Sequence, residues 1–402
     1  MYNEDTLNLN VINEDVKIID LAVEMSNYDE EKIKETCNNL NDEQLAIVLE
    51  QCDEKVIREI VKVLDNKRIL NIFSYMAKDD IVDILGIIDI GNAKQLINLM
   101  KEGDQEEITE LLGYKDDTAG GIMTTEYIAI YNTLTVVETL KKIKEIAPKT
   151  ELIDTIFIMN KRKQLVGTVK LRDILIADEN EKIAQITNGN FIYVEPETDQ
   201  EEVALLASKY DLNVIPVLNK RKVMLGIITI EDIVDVMVEE QTEDVLQMGG
   251  VDKEEKLDST VLQSVKMRFP WLFINLITAF LAAMTVKAFE STIAKVVALS
   301  SIMSIVTGMG GNAGTQTVSI IIRNIAMGKI KLKDTWKLLL KEFLLGLING
   351  AGIGLITGVV VYFIYGNFYL GLIIFLAMIG NLIIAGVTGL LIPLLLHKLH
   401  FD

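Results

Sequence analysis

"SIVTGMGGNAGTQTVSIII" (residues 304–322) is an apolar stretch with a polar centre: four glycines, an asparagine, a glutamine and three threonines interrupt it. Its surroundings decide how it is read. From Phe269 onward the chain offers four apolar segments, roughly 269–288, 294–327, 338–365 and 368–396. Each meets the ~20-residue requirement of a transmembrane helix, and the quoted stretch falls in the second. Within it, "GMGGNA" (308–313) fits the dinucleotide pattern G-x-G-x-x-A, but no βαβ context surrounds it and no acidic residue follows about 20 positions on. Irregular backbone and polar groups at membrane depth survive only where they are buried in protein or line a watery path. Neutral carbonyl and amide oxygens suit a hard cation that keeps its water shell, as magnesium does. The plainer alternative is a kink satisfied by neighbouring helices. In the third segment Gly346, Gly350, Gly354 and Gly358 form a small-xxx-small ladder, which reads as a helix-packing face.

Charge divides the 402-residue chain. Residues 1–265 carry 54 acidic and 28 basic side chains, whereas residues 266–402 carry 4 and 11. The acidic part excludes nucleic acid as a partner and favours a solvated surface or cation binding. Lys266 and Arg268 precede the first span, Lys329, Lys331, Lys333, Lys337 and Lys341 lie between spans two and three, and His397 and Lys398 follow span four. The basic ends thus share a side with the acidic part, which is therefore cytoplasmic. "MYNEDTLNLN" shows no secretory signal. Cys37 and Cys52 have no zinc-type spacing, and the only histidines are His397 and His400. With no nucleophile–base or metal-hydrolase spacing, an enzyme is not expected.

The soluble part has two patterns. From Leu40 a 12-residue rhythm runs through "DEKVIREIVKVL", "DNKRILNIFSYM", "AKDDIVDILGII" and "DIGNAKQLINLM", predicting short stacked helices in a small superhelix. Further on, "IFIMNKRKQLVGTVKLRDIL" (156–175) matches "IPVLNKRKVMLGIITIEDIV" (215–234) at an offset of 59, with Asn160/Asn219, Gly167/Gly226 and Asp173/Asp232 in register. Each copy reads as strand, turn, strand and helix. Just beyond, Asp232, Asp235, Glu239 and Glu243 share one face of a predicted helix, flanked by Glu240 and Asp244. Like charges so spaced oppose a helix unless they are solvated or neutralised. Oxygen-only ligands would take magnesium or calcium, with "ETDQEE" (197–202) and Asp211 as a second surface.

The duplicated unit resembles a tandem cystathionine-β-synthase-type (CBS) pair, a regulatory ligand sensor. In that family the turn G-x-x-T/S-x-x-D can hold adenosine ribose; here Gly226, Thr229 and Asp232 match it, whereas the first copy has Lys170 in the hydroxyl position. The bland reading is that Thr229 and Asp232 cap the next helix. The whole assembly, with "DDTAGGIMTTEYIAI" (116–130) opening the pair and "GGNAGTQ" (310–316) in the membrane, resembles the MgtE family of magnesium channels and transporters.

That resemblance implies a multidomain protein: a helical superhelix N-domain (1–116), an α/β tandem CBS pair (117–240), a connecting plug helix (241–266, the helix itself about 245–266) and an all-α transmembrane domain of four spans (267–402). It implies a homodimer in the bilayer that imports magnesium, with cobalt or manganese as companions and ATP as a ligand of the CBS pair. Its implied sensor ligands are Glu59, Asp199, Glu201, Asp211, Asp232, Asp235, Glu240, Glu243 and Asp244, joined by backbone near Ser208; two further family aspartates fall on Gly91 and Gln95, leaving Asp89 as a substitute. The implied ion path comprises Gly308, Gly311, Asn312, Thr315 and Ser319. Family members carry a fifth span with a pore aspartate, and the chain is expected to be cut short before it, since Asp402 cannot replace that group. A membrane-anchored CBS sensor without transport stands as the alternative.

Overall fold

The computed structural model describes residues 14–147, 150, 152–253, 255, 259–327, 330 and 335–399. The start of the chain, loop residues Lys329, Lys331 and Lys333, and Asp402 lie outside them. Two compact units result, Met1–Glu239 and Glu240–Asp402.

The first unit begins with eight short helices, α1 (Glu14–Met25), α2 (Glu30–Asn39), α3 (Asp42–Gln51), α4 (Glu54–Val63), α5 (Asn66–Phe73), α6 (Lys78–Ile87), α7 (Ile90–Leu99) and α8 (Glu102–Leu111). The N-cap residues of α2 to α8 are Asp29, Asn41, Asp53, Asp65, Ala77, Asp89 and Lys101, twelve apart throughout. The rhythm therefore extends beyond the four units legible from Leu40. Where the caps act, Asp29 and Asp65 accept from the backbone three residues on, and Asn41 forms a reciprocal capping box with Gln44. Each helix from α1 to α6 packs on the one two along, so odd and even helices make two layers. Leu45, Leu49, Ile60, Ile69, Ile72, Leu96 and Ile108 are wholly buried between them, each burial contributing about 1.5–3 kcal/mol.

The paired module follows: β1 (Ala129–Tyr131), α9 (Val136–Ile146), β2 (Thr155–Met159), β3 (Leu165–Lys170), α10 (Leu171–Ile176), α11 (Ile183–Ile186), α12 (Gln200–Tyr210), β4 (Val214–Leu218), β5 (Met224–Thr229) and α13 (Ile230–Met248). β1 lies parallel to β2, and both hairpins, β2–β3 and β4–β5, are antiparallel. The strand–turn–strand–helix expectation holds in both copies. The turns are the same device: Asn160 Oδ1 accepts from the Arg162 and Gln164 amides, and Asn219 Oδ1 from those of Arg221 and Val223. Lys163 and Lys222 take matching left-handed conformations, at φ 59° and 60°.

The duplicated glycines are spacers. The Thr124 and Ile227 backbones exchange hydrogen bonds at 2.8 and 2.9 Å, and a Cβ on Gly226 would stand 2.6 Å from the Thr124 oxygen. Gly167 holds the same relation to Asn188. The segment entering the first copy thereby completes the second. One continuous core joins the helical repeat to the second copy through Ile215, Ile228, Ile233 and Val236, while the first copy keeps its own core.

The second unit holds α14 (Val261–Ala288), α15 (Glu290–Lys295), α16 (Ala298–Ala326), α17 (Thr335–Tyr365) and α18 (Phe368–Lys398). Among the described residues three helices, α14, α17 and α18, are long and apolar enough to cross a membrane. α16 is 29 residues long; the glycines and polar residues of its centre are what lower its hydropathy.

The glycine ladder does pack. Added Cβ atoms on Gly346, Gly350, Gly354 and Gly358 would fall 2.6–2.9 Å from backbone atoms of Ile383, Ile379, Phe375 and Gly371 on α18. Two expectations need correction. The quoted stretch is not broken backbone, because α16 is helical straight through it. A single connecting helix over about 245–266 is also not formed. α13 ends at Met248, and Gly249 and Gly250 end it, Gly250 at φ +70°, a left-handed stop that glycine adopts without strain; α14 begins only at Val261.

Candidate metal-sensing cluster and ion path

α13 is anchored by a capping box. Thr229 is 3% exposed, and its hydroxyl and amide both donate to Asp232 Oδ2, at 2.7 and 3.0 Å. Gly226 is filled by Thr124, so all three nucleotide candidates have structural tasks. From this anchor Asp232 faces acids of α6. Asp79 is 8% exposed, and its Oδ1 has no hydrogen-bond partner. Burial pushes its pKa up to about 8, with Asp80 and Asp232 adding repulsion and Thr124 a hydrogen bond that opposes the shift. Asp83 is pushed up to about 6, first by desolvation and then by Asp116, Asp232 and Glu239. The Asp232 carboxyl is itself raised, chiefly by burial.

Carboxylates from α6, the 116 turn and α13 thus share one electrostatic field. An orphaned buried oxygen amid like charges fits a hard divalent cation, which prefers oxygen donors. Among the described residues, however, no three acidic, histidine or cysteine side chains converge closely enough to enclose an ion.

The other sensor candidates are dispersed. Asp199 is the N-cap of α12 and accepts from the Glu201 amide at 2.8 Å, whereas Asp211 is its left-handed C-cap. The caps stand roughly 18 Å apart at 1.5 Å per residue, so one ion cannot bridge them. Glu59 sits on α4 and pairs with Lys62 at 2.7 Å. Gly91 and Gln95 lie on α7, as does the N-cap Asp89. Asp235 is exposed on α13. In the second unit Glu243 pairs with Lys253 at 3.1 Å. Asp244, its carboxyl raised by burial and then by Glu243, lines an open cavity of about 910 Å³ with Gln247, Lys266 and Trp271; Glu240 lies one turn earlier on α13. Sequence reasoning missed Asp79, Asp80, Asp83 and Asp116. The available signal was "KDDIVD" (78–83), where Asp79 and Asp83 stand i, i+4 on a helix.

α16 divides into two faces. Gly310 packs on Asn381, whose Nδ2 donates to the Val306 carbonyl, and Gly314 packs on Gly389. Ile302, Gly310, Thr317 and Ile321 are buried on this side. Gly308 and Gly311 have nothing within 4 Å of an added Cβ, and with Asn312 and Thr315 they are exposed; Ser319 is half-buried, its hydroxyl returned to Thr315 O. The candidate ion-path positions follow a helical spacing of 308, 311/312, 315 and 319, one face of α16. Because the backbone is hydrogen-bonded within the helix, that face offers side-chain oxygens and bare glycine surface rather than freed carbonyls.

A helical repeat, a CBS pair and several long apolar helices, three of them long and apolar enough to cross a membrane among the described residues, define a multi-pass membrane protein. Family comparisons fall on the same regions. The MgtE intracellular N domain matches residues 16–117, the CBS domain residues 119–180 and 183–239, and the divalent cation transporter model of MgtE residues 303–402. Proteins named magnesium transporter MgtE are similar: 37% identity in Enterococcus faecalis over 74% of this chain and 65% of that protein. In Bacillus subtilis identity is 31% over 81% and 72%, and in Thermus thermophilus 33% over 81% and 73%. The chain thus spans about two thirds to three quarters of these relatives' length.

Two solved structures also resemble it. The cytosolic domain of the Mg2+ channel MgtE in complex with ATP has a TM-score of 0.53 and 31% identity over 56% of this chain and 91% of that one. The soluble part of a magnesium transporter has a TM-score of 0.51 and 28% identity over 56% and 99%. This chain belongs to the MgtE magnesium transporter family, a family of multi-pass membrane transporters rather than enzymes, with cytoplasmic N-terminal domains.

Proposed function

We propose that the protein conducts magnesium across the cell membrane into the cytoplasm along the open face of α16, as a homodimer, with α14, α16, α17 and α18 as four spans. The observation carrying this reading is the division of α16. Ile302, Gly310, Thr317 and Ile321 are used for packing, yet Gly308, Gly311, Asn312 and Thr315 stay uncovered. A polar face at membrane depth is stable only against protein or water, and a dimer partner with a hydrated ion provides both. Cobalt and manganese, hard enough for the same oxygens, are its companion cargoes.

Gating rests on the acidic cluster. Without a cation Asp79 holds its proton while Asp83 and Asp232 repel each other. Magnesium binding, which displaces that proton, therefore draws α6 toward α13 and the 116 turn and closes the path when cytoplasmic magnesium is plentiful. The orphaned Asp79 oxygen supports it as a ligand. Asp235, Glu240, Glu243 and Asp244, further along α13, are further candidate ligands; Asp199, Glu201, Asp211 and Glu59 would serve separate sites. ATP, bound by a relative's cytosolic domain, would take the Gly226–Thr229–Asp232 turn by displacing the Thr229 bond to Asp232, and would thereby loosen the anchor of α13.

Protein in liposomes should take up magnesium under an inside-negative potential, and the double substitution Gly311→Leu, Asn312→Leu should abolish uptake. Unchanged uptake in that variant sinks the path. Magnesium-dependent protease protection of residues 200–265 in a protein without flux would leave the sensor reading in its place.

A further inference from the structure

The four long helices of the membrane unit carry one carboxylate between them, Glu342 on α17. Ionisable groups at such positions are costly and usually serve a purpose. The Glu342 Oε2 accepts a hydrogen bond from Thr317 Oγ1 at 3.0 Å, and Thr317 is 7% exposed. Helical threonines in this unit, such as Thr307, Thr357 and Thr388, return their hydroxyls to the carbonyl four residues back. Thr317 reaches across to another helix instead. α18 closes the junction: an added Cβ on Gly386 would lie 3.5 Å from Glu342 Oε2, and one on Gly389 would lie 3.2 Å from Thr317 Cβ. Thr317 follows Thr315 by two positions, about 200° around the helix. Fixing Thr317 inward therefore fixes Thr315 and Asn312 outward.

We propose that Glu342 is a positioning residue for the ion path: through Thr317 it sets the rotation of α16 and so keeps Gly308, Gly311, Asn312 and Thr315 on the open face. Calling that face the ion path rests on the transport reading; the rotation itself does not. The test therefore reads rotation by cross-linking, without flux. In the full chain with Cys37→Ala and Cys52→Ala, a short bismaleimide should join Ile321→Cys to Leu390→Cys, which share a buried cluster, and should join Ile320→Cys to Leu390→Cys poorly.

Thr317→Val and Glu342→Ala should each shift the ratio of these products about threefold to tenfold toward the 320 pair, the scale of one hydrogen bond's net worth. Thr317→Ser and Glu342→Gln retain donor and acceptor, pack nearly alike, and should restore the parent ratio. An unchanged ratio in Thr317→Val or Glu342→Ala overturns the proposal. So does Glu342→Gln behaving as Glu342→Ala, which would make the charge, and with it direct cation binding, the reason for the carboxylate. Magnesium uptake followed in the same variants judges the transport reading separately: a parent that rotates as expected but carries nothing counts against transport alone.

Discussion

α13 and α16 are both long helices with one packed and one polar face, yet they handle charge oppositely. α13 presents carboxylates to further carboxylates on α6, with Asp79 pushed up to about 8 by burial and then by Asp80 and Asp232. α16 presents no charge on its open face, where Gly308, Gly311, Asn312 and Thr315 lie beside exposed apolar side chains such as Ile305. The solvent explains the contrast. A buried carboxylate outside the bilayer can relieve repulsion by holding a proton, which a cation could replace. As a span, which is the proposed reading, α16 would have no such freedom, in keeping with its uncharged open face and with a neighbouring carboxylate tied to Thr317. On the proposed reading strong binding would belong to the sensor and weak, hydrated contact to the path, where an ion must also leave.

The largest effect should come from adjacent glycines of α16. An added Cβ on Gly310 would stand 2.5 Å from Asn381 Nδ2, whereas one on Gly311 meets nothing within 4 Å. Gly310→Leu should therefore unseat α16 from α18, at a cost of more than about 3 kcal/mol, seen as loss of the monodisperse peak in detergent after mild heating. Gly311→Leu should leave that peak and its thermal midpoint in place while ending magnesium uptake. Equal loss of stability in both would erase the division of α16 into two faces.

A smaller effect should separate the acidic helix from the neutral one. Asp79 holds a proton in the folded state up to about pH 8 but releases it near 4 when unfolded. Between those values the folded state binds the extra proton, so stability should fall as pH rises, by a few kcal/mol in total. Without divalent ions, thermal unfolding should then be several degrees higher at pH 6 than at pH 8. Asp79→Asn should flatten most of this slope and raise the midpoint at pH 8. Added magnesium should rescue the parent at pH 8 but not the variant. A parent insensitive to pH over this window would remove Asp79 from the sensor.

These contrasts were unevenly legible in the sequence. The duplicated hairpins could be read because each copy repeats the same Asn turn and glycine spacer. The membrane packing ladder could be read because small residues four apart have one main use in lipid. The outer repeats were harder: α2 and α8 each bury only two side chains, Ile33 and Cys37 or Ile108 and Leu111, so their apolar signal is thin. Terminal repeats turn one face to water and lose periodicity for that reason. The cluster on α6 was missed because its meaning is tertiary. "KDDIVD" reads as a solvated helix start until the 116 turn and α13 are folded against it. The split of α16 was hidden for a related reason, since Gly310 and Gly311 differ only in what other helices bring to them.

The finest contrast lies between the two CBS copies. In the second, Thr229 and Asp232 cap α13, which runs 19 residues; in the first, Lys170 gives α10 no side-chain cap, and that helix runs 6. Thr229→Ala should cost about 1 kcal/mol. It also frees the Asp232 carboxylate, so its apparent magnesium affinity, followed by protease protection, should change while the membrane unit's thermal behaviour does not. The mirror substitution Lys170→Thr would place a hydroxyl three residues before Asp173, which now has only a 3.5 Å contact with Arg172. A new capping box there should add a few tenths of a kcal/mol without altering the magnesium response, because α10 carries no acidic face beyond Asp173. If both substitutions moved the magnesium midpoint equally, the cap would be a general stabiliser, and the second copy would lose its special tie to the sensor.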